Sequence, residues 1–157
     1  MKVGDLIDRD LSALSESCPV SEAIEILYRH KASGLPVLSD TDELVGFISE
    51  KDIIKAALPG YAHMLEDSSF LPDYGQFSSR LQAISSDPVS KYMKTDVITF
   101  NEDDSDFYVA DMVIKDNIKI APVLRDGRLI GVVSRSHLVR HLLLHPEDVD
   151  EALKQKN

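Results

Sequence analysis

Sliding the chain against itself by 86 positions superposes Val3 on Val89, Leu6 on Tyr92, Leu11 on Val97, Leu27 on Val113 and Pro36 on Pro122, without a gap. Past Pro36 one residue drops out and the offset becomes 85, which sets Leu44 on Leu129, Val45 on Ile130, Gly46 on Gly131 and Ser49 on Ser134. An internal repeat decides the architecture before any local propensity is consulted, because both copies must fold alike and bury the same faces. The lost residue lies between two apolar runs, Leu35–Leu38 and Leu44–Ile48, where a hairpin loop absorbs it. In the second copy that loop carries Asp126-Gly127, a strong short-hairpin signal.

Each copy reads as the same string of elements. A short strand comes first, around Leu11 to Leu14 and around Val97 to Phe100. A helix follows. In copy one it is expected to open at Cys18 with Pro19 at the first helical position, and Ala23, Ile24, Leu27 and Tyr28 form its apolar stripe. In copy two the expected opening residue is Asp104, with Val109, Ala110 and Val113 as the stripe and Asp103, Asp104 and Asp106 at the positive end of the helix dipole. Two hairpin strands come next, and a second helix starts at Ser49 or Ser134 and stops near Pro59 or Pro146. A unit of about 55 residues buries too little surface to be stable alone, so two copies are expected to pack together.

The organisation is therefore a first repeat over 1–58, a connector over 59–88, a second repeat over 89–145 and a tail over 146–157. The connector carries Gly60, Pro72, Gly75 and serines. It also carries Tyr61, Met64, Leu65, Phe70, Leu71, Tyr74, Phe77, Leu81 and Ile84, so it is expected to pack as short helices. The net charge is −10, distributed as −5, −3, 0 and −2 over those four stretches. Acidity of this size argues against nucleic-acid and anionic-membrane partners, whose binding rests on cationic side chains. No apolar run approaches the ~18 residues of a membrane span, and the start of the chain lacks the apolar stretch of a secretory signal, so a cytoplasmic location is expected. The single cysteine, Cys18, has no intrachain partner for a disulfide and reads as a small residue at a helix start.

The runs Gly34-Leu35-Pro36-Val37-Leu38 and Leu44-Val45-Gly46-Phe47-Ile48-Ser49-Glu50-Lys51-Asp52 resemble the signature of a CBS domain. Ile120-Ala121-Pro122-Val123-Leu124 and Leu129-Ile130-Gly131-Val132-Val133-Ser134-Arg135-Ser136-His137 resemble it again. Together they look like a tandem CBS pair, a Bateman module. The resemblance implies an α+β fold of two β-α-β-β-α repeats packed with pseudo-twofold symmetry, two clefts able to hold adenine nucleotides, and assembly as a homodimer.

The corner Gly-x-x-Ser-x-x-Asp has a chemical rationale of its own. A serine at a helix start sets a hydroxyl beside free backbone N–H groups, which suits a phosphate, and a carboxylate three residues later can accept from both hydroxyls of a ribose. Carried over from the resemblance, Ser49 is expected near phosphate and Asp52 on the ribose, with Ala13, Leu35, Pro36 and Val37 as the wall for the base. Thr99, Ala121 and Pro122 hold the corresponding places in copy two. Ser49-Glu50-Lys51-Asp52 equally reads as a capping box that needs no ligand. Copy two departs from the pattern: His137 stands where the ribose carboxylate belongs, while Ser134, Arg135 and Lys119 favour phosphate. His137, His141 and His145 recur every four residues, but nothing local completes a metal site.

No catalytic motif is recognisable, neither a nucleophile elbow nor a Walker A loop nor His-Glu-x-x-His. The expectation is a non-enzymatic regulatory module. It would bind an adenine nucleotide (AMP, ADP, ATP or cyclic di-AMP) as regulatory ligand and signal to an effector protein through a shift in arrangement. The alternative is a dimerisation or protein-interaction scaffold whose nucleotide sites have decayed. Ile53, Ile54, Ala57, Leu138, Leu142 and Leu143 on the second helices are the apolar residues expected to support a homodimer.

Overall fold

The computed structural model describes residues 2–9, 13–58 and 74–144. They form two compact units, and the units cut across the sequence repeats: one comprises Met1–Ser12 with Ile98–Asn157, the other Ala13–Val97.

The 13–97 unit holds β1 (Leu14–Ser15), α1 (Val20–His30), β2 (Gly34–Leu38), β3 (Leu44–Ser49), α2 (Glu50–Ala57) and α3 (Tyr74–Ile84). Its sheet has the order β1-β2-β3, with β1 parallel to β2 and β2 antiparallel to β3. Leu14, Val20, Leu27, Leu35, Val37, Ile48, Ile53 and Val89 are buried. Helix α1 begins at Val20, one residue later than Pro19 at its first turn would require. Pro19 is extended (ψ 145°) and acts as N-cap. The N–H groups of Val20 and Ser21, free in an isolated helix start, donate to the carbonyls of Asp87 and Ser85, both at 2.9 Å. The expected strand near Leu11 to Leu14 is confined, among the described residues, to Leu14–Ser15. The expected connector helices are represented by α3, packed against α2, while Tyr61, Met64, Leu65, Phe70 and Leu71 lie outside the described residues.

The other unit repeats the plan with β4 (Phe100–Asn101), α4 (Asp106–Lys115), β5 (Ile120–Arg125), β6 (Arg128–Ser134) and α5 (Arg135–Leu144), in the sheet order β4-β5-β6. Val3, Leu6, Phe100, Val109, Ala121, Val123, Val133 and Leu138 make one buried cluster, so the first residues of the chain fold into the core beneath the second repeat's sheet. Ser105, not Asp104, caps α4: its Oγ accepts from the Tyr108 N–H at 3.1 Å. Asp104 is spent elsewhere, its carboxylate on the Asn101 N–H and its carbonyl on the Val3 N–H, both at 2.8 Å. The strand expected over Val97 to Phe100 is Phe100–Asn101. The hairpin turns at Asp126 and Gly127, both with positive φ (51° and 78°), the backbone that a two-residue turn of this type demands.

The leading segment of each copy makes equivalent bonds in its unit. Val3 N–H donates to the Asp104 carbonyl and Gly4 N–H to Glu102, while Val89 donates to Cys18 and Ser90 to Glu16. Every one of these partners is related by the 86-residue offset.

Candidate functional site

In the 13–97 unit β3 delivers Ser49 to the start of α2. Ser49 is extended (φ −118°, ψ 162°) and caps the helix, with its Oγ accepting from the Asp52 N–H at 3.2 Å. Asp52 Oδ2 accepts in return from the Ser49 N–H at 3.0 Å and from the Ser49 hydroxyl at 2.8 Å. The capping box is complete, and both residues are parts of it. One carboxylate oxygen is thus occupied within the corner. The other, Oδ1, faces Lys94 Nζ at 3.8 Å. The Asp52 side chain is 7% exposed and that of Lys94 60%, so the acid is sealed and its counter-ion reaches it from the solvent side.

Lys94 is held there by its backbone. It exchanges two hydrogen bonds with Phe47, both 2.9 Å, which lays the 89–94 segment across β3. Gly46 makes the crossing possible: a Cβ there would stand 2.8 Å from the Lys94 carbonyl oxygen and 2.4 Å from Met93 Sδ.

The second corner uses the same backbone. Ser134 Oγ accepts from the His137 N–H at 3.2 Å and lies 3.0 Å from Ser136 Oγ. Asp8 exchanges hydrogen bonds with Val132 at 2.8 and 3.2 Å, and a Cβ on Gly131 would come within 2.7 Å of the Asp8 carbonyl. His137 Nε2 stands 3.9 Å from Asp8 Oδ2, while its Nδ1 is buried without a hydrogen-bond partner among the described residues. Lys119 is brought beside Arg135 through its carbonyl, which takes the Arg135 N–H at 3.1 Å, and both side chains are exposed.

Of the remaining sequence candidates, Leu35, Pro36, Val37, Ala121 and Pro122 are buried on β2 and β5, and Ala13 and Thr99 are half-buried just before β1 and β4. Lys94 and Asp8 were not foreseen as site residues. The offset pairing carried the signal: Asp8 aligns with Lys94 and Asp52 with His137, so an acid and a basic side-chain type exchange places at two aligned positions at once. A separate cavity of 820 Å³ lies among α1, α2 and α3, lined by residues that include Ile24, Leu27, Ile53, Phe77 and Leu81. None of Ser49, Asp52 or Lys94 lines it; its lining is mainly apolar, with Arg29, Lys31 and Glu50 among the lining residues. Among the described residues no group of three or more His, Cys, Asp and Glu could hold a metal ion, and no helix is long and apolar enough to cross a membrane; His145 lies outside them.

The family model for the CBS domain matches residues 3–59 and again 89–144. The chain belongs to the CBS domain family. It is a tandem CBS pair, and its two matched stretches are the two repeats found by self-comparison. An uncharacterised protein of Methanocaldococcus jannaschii, MJ1225, is 22% identical over 140 residues, 89% of this chain and 42% of that protein. The gamma-3 subunit of 5'-AMP-activated protein kinase from Sus scrofa is 28% identical over 144 residues, 90% of this chain and 25% of the subunit. The chain thus spans less than half the length of either relative. Among solved structures, the CBS-pair protein CBSX2 of Arabidopsis thaliana superposes with a TM-score of 0.74 at 24% identity, covering 93% of this chain and 96% of that one. CBSX2 in complex with AMP gives 0.69 at 24%, covering 91% and 96%. These likenesses show the CBS-pair fold.

Proposed function

We propose that this CBS pair is a non-enzymatic regulatory module that binds an adenine nucleotide and passes the binding state to a partner protein. The observation that carries the reading is the Ser49–Asp52 corner, where a capped helix start holds a carboxylate whose second oxygen meets only a solvent-exposed lysine among the described residues. A ribose hydroxyl can replace that lysine on Oδ1, and the released ammonium is then free for the ligand's phosphate. CBSX2 has been solved with AMP, which supports this ligand class. Binding regulates if the nucleotide prefers one arrangement of the module, since a ligand shifts an equilibrium only by its differential affinity. Cyclic di-AMP belongs in the same panel, because a symmetric ligand suits a repeated site.

Exposed apolar residues on the second repeat's helices, Phe107, Ile114, Val139 and Leu143, support a homodimer. Ile54, Leu142 and Leu143 are exposed as that role needs; Ile53, Ala57 and Leu138, which were expected to share it, are core residues of their own units. The scaffold alternative draws on the same exposed residues and on His137 in the place of the ribose carboxylate.

The chain has no Trp and five Tyr, so protein absorbance at 280 nm is weak and a co-purified adenine stands out at 260 nm. The proposal expects such a shoulder, or a thermal midpoint raised by AMP, ADP, ATP or cyclic di-AMP. A clean spectrum with no shift across that panel leaves the scaffold reading.

A further inference from the structure

The 820 Å³ cavity of the 13–97 unit takes no part in the chemistry of the Ser49–Asp52 corner. Helix α2 is its shared wall, since α1 and α3 each pack on α2. Its volume falls within the range of about 300–1,000 Å³ usual for small-molecule sites. In its lining Leu27, Ala32 and Ile53 are core residues, while Tyr28 and Ile54 are 84% and 48% exposed, so it runs from the core to the solvent.

Three charged residues share that lining, Arg29, Lys31 and Glu50, and the repeat singles out the two cations. Arg29 aligns with Lys115, and Glu25 with Asp111. In the second repeat Lys115 Nζ takes the Asp111 carboxylate four residues back, at 2.8 Å. Arg29 makes no such pair with Glu25, nor with any acid among the described residues, and lines the cavity instead. Lys31 aligns with Asn117, and both have a φ of 51°. Left-handed backbone suits Asn better than Lys, so the first repeat keeps a cation where its conformation favours the residue of the second. Lys31 is likewise without an ion-pair partner among the described residues.

We propose that this cavity binds a linear monocarboxylic acid, a fatty acid, with its hydrocarbon chain against Ile24, Ile53, Phe77 and Leu81 and its carboxylate on Arg29 and Lys31. The guanidinium fork matches a carboxylate through two parallel hydrogen bonds, which a point charge does not. Glu50 leaves two cations against one acid in the lining, an excess that suits a single negative charge and disfavours a dianionic phosphate. The inference is independent of the nucleotide reading, because neither Ser49 nor Asp52 lines the cavity.

The test is calorimetric titration of the whole chain with octanoate, decanoate and the neutral 1-octanol, all below their micellar or solubility limits. Wild type is expected to take up one equivalent of each acid saturably and to bind decanoate about tenfold more tightly than octanoate, the scale of two more buried methylenes. Arg29→Gln is expected to weaken both acids about tenfold, the scale of lost charge-assisted hydrogen bonds, and to leave 1-octanol unchanged. Lys115→Gln, which alters the aligned cation outside the cavity, is expected to change nothing. Leu81→Trp fills the apolar part and is expected to weaken all three ligands while circular dichroism stays native; if it does not fold, Ile54→Gln at the exposed end takes its place. No saturable uptake of either acid by wild type overturns the proposal. So do acid affinities that Arg29→Gln leaves untouched, or that Lys115→Gln lowers as much, which would mean attraction by overall charge alone.

Discussion

At the corner after β3 the helix supplies the acid and the crossing segment the base; at the corner after β6 the two are reversed, over a backbone that is otherwise the same. The helix-borne acid does double work, because Asp52 both completes the capping box and faces Lys94. His137 gives Ser134 only its backbone N–H, and its side chain takes no part in capping. The difference separates two kinds of constraint. The crossing of the segment over the glycine is common to both corners and belongs to folding, whereas the elements that carry the acid and the base differ between them.

The crossing should be the costlier feature to disturb. Gly46→Ala and Gly131→Ala each drive a methyl into backbone that cannot retreat, and about 2–3 kcal/mol of destabilisation is expected in urea unfolding. A loss below 1 kcal/mol at either position would mean the segments lie less tightly than these contacts require.

The acids and bases should then part company. Asp52→Ala strips the Ser49 N–H and hydroxyl of their acceptor and is expected to cost about 2 kcal/mol. His137→Ala removes only a half-exposed pair and is expected to cost about 0.5 kcal/mol or less. Equal losses would contradict the claim that only the first corner uses its side chain as a cap.

A smaller contrast is one of pH. Tyr92 donates to Asp87 at 2.5 Å, and this hydrogen bond holds the Asp87 carboxyl below its usual 3.8 and, with burial, pushes the Tyr92 phenol up to about 12. Stability from Asp87 is present above its unfolded value and fades as the pH falls through the lower folded one. That from Tyr92 is complete below its unfolded value near 10 and fades as the pH rises towards 12. The counterpart of Tyr92 in the other unit is Leu6, a core residue with nothing to titrate. Tyr92→Phe should therefore flatten both limbs of the thermal midpoint against pH; parallel curves for wild type and variant would sink the assignment.

The faintest effect concerns Cys18, aligned with Asp104 of the other copy. Burial, aided by Glu22, pushes its thiol up to about 11, so alkylation of the native protein at pH 7 should be far slower than of the urea-unfolded chain. Equal rates would place the thiol at the surface.

The repeat made the element order legible because apolar spacing and turn residues recur at a fixed offset, and the hairpin at Asp126-Gly127 follows from turn chemistry alone. Local sequence rules place both caps one residue early, at Cys18 and Asp104 instead of Pro19 and Ser105. Local rules see Pro19 and Asp104 as helix starters but not the carbonyls of Ser85 and Asp87, or the Val3 N–H, that claim the first backbone groups. The membership of the leading segments was hidden for a related reason: Val3 and Leu6 look the same in sequence whichever sheet they cover, and only tertiary packing assigns them to the unit of the second repeat. Ser49 and Asp52 could be singled out from their spacing, while Lys94 and Asp8, more than 40 and 120 residues away from their partners, needed the fold.

Titration of AMP into wild type, followed by Asp52→Ala, tests the central claim most directly. A nucleotide-reading CBS pair gives saturable binding that loses one site in the variant while the folded signal persists in circular dichroism. Absence of binding by wild type, or affinity and stoichiometry that Asp52→Ala leaves untouched, would contradict it.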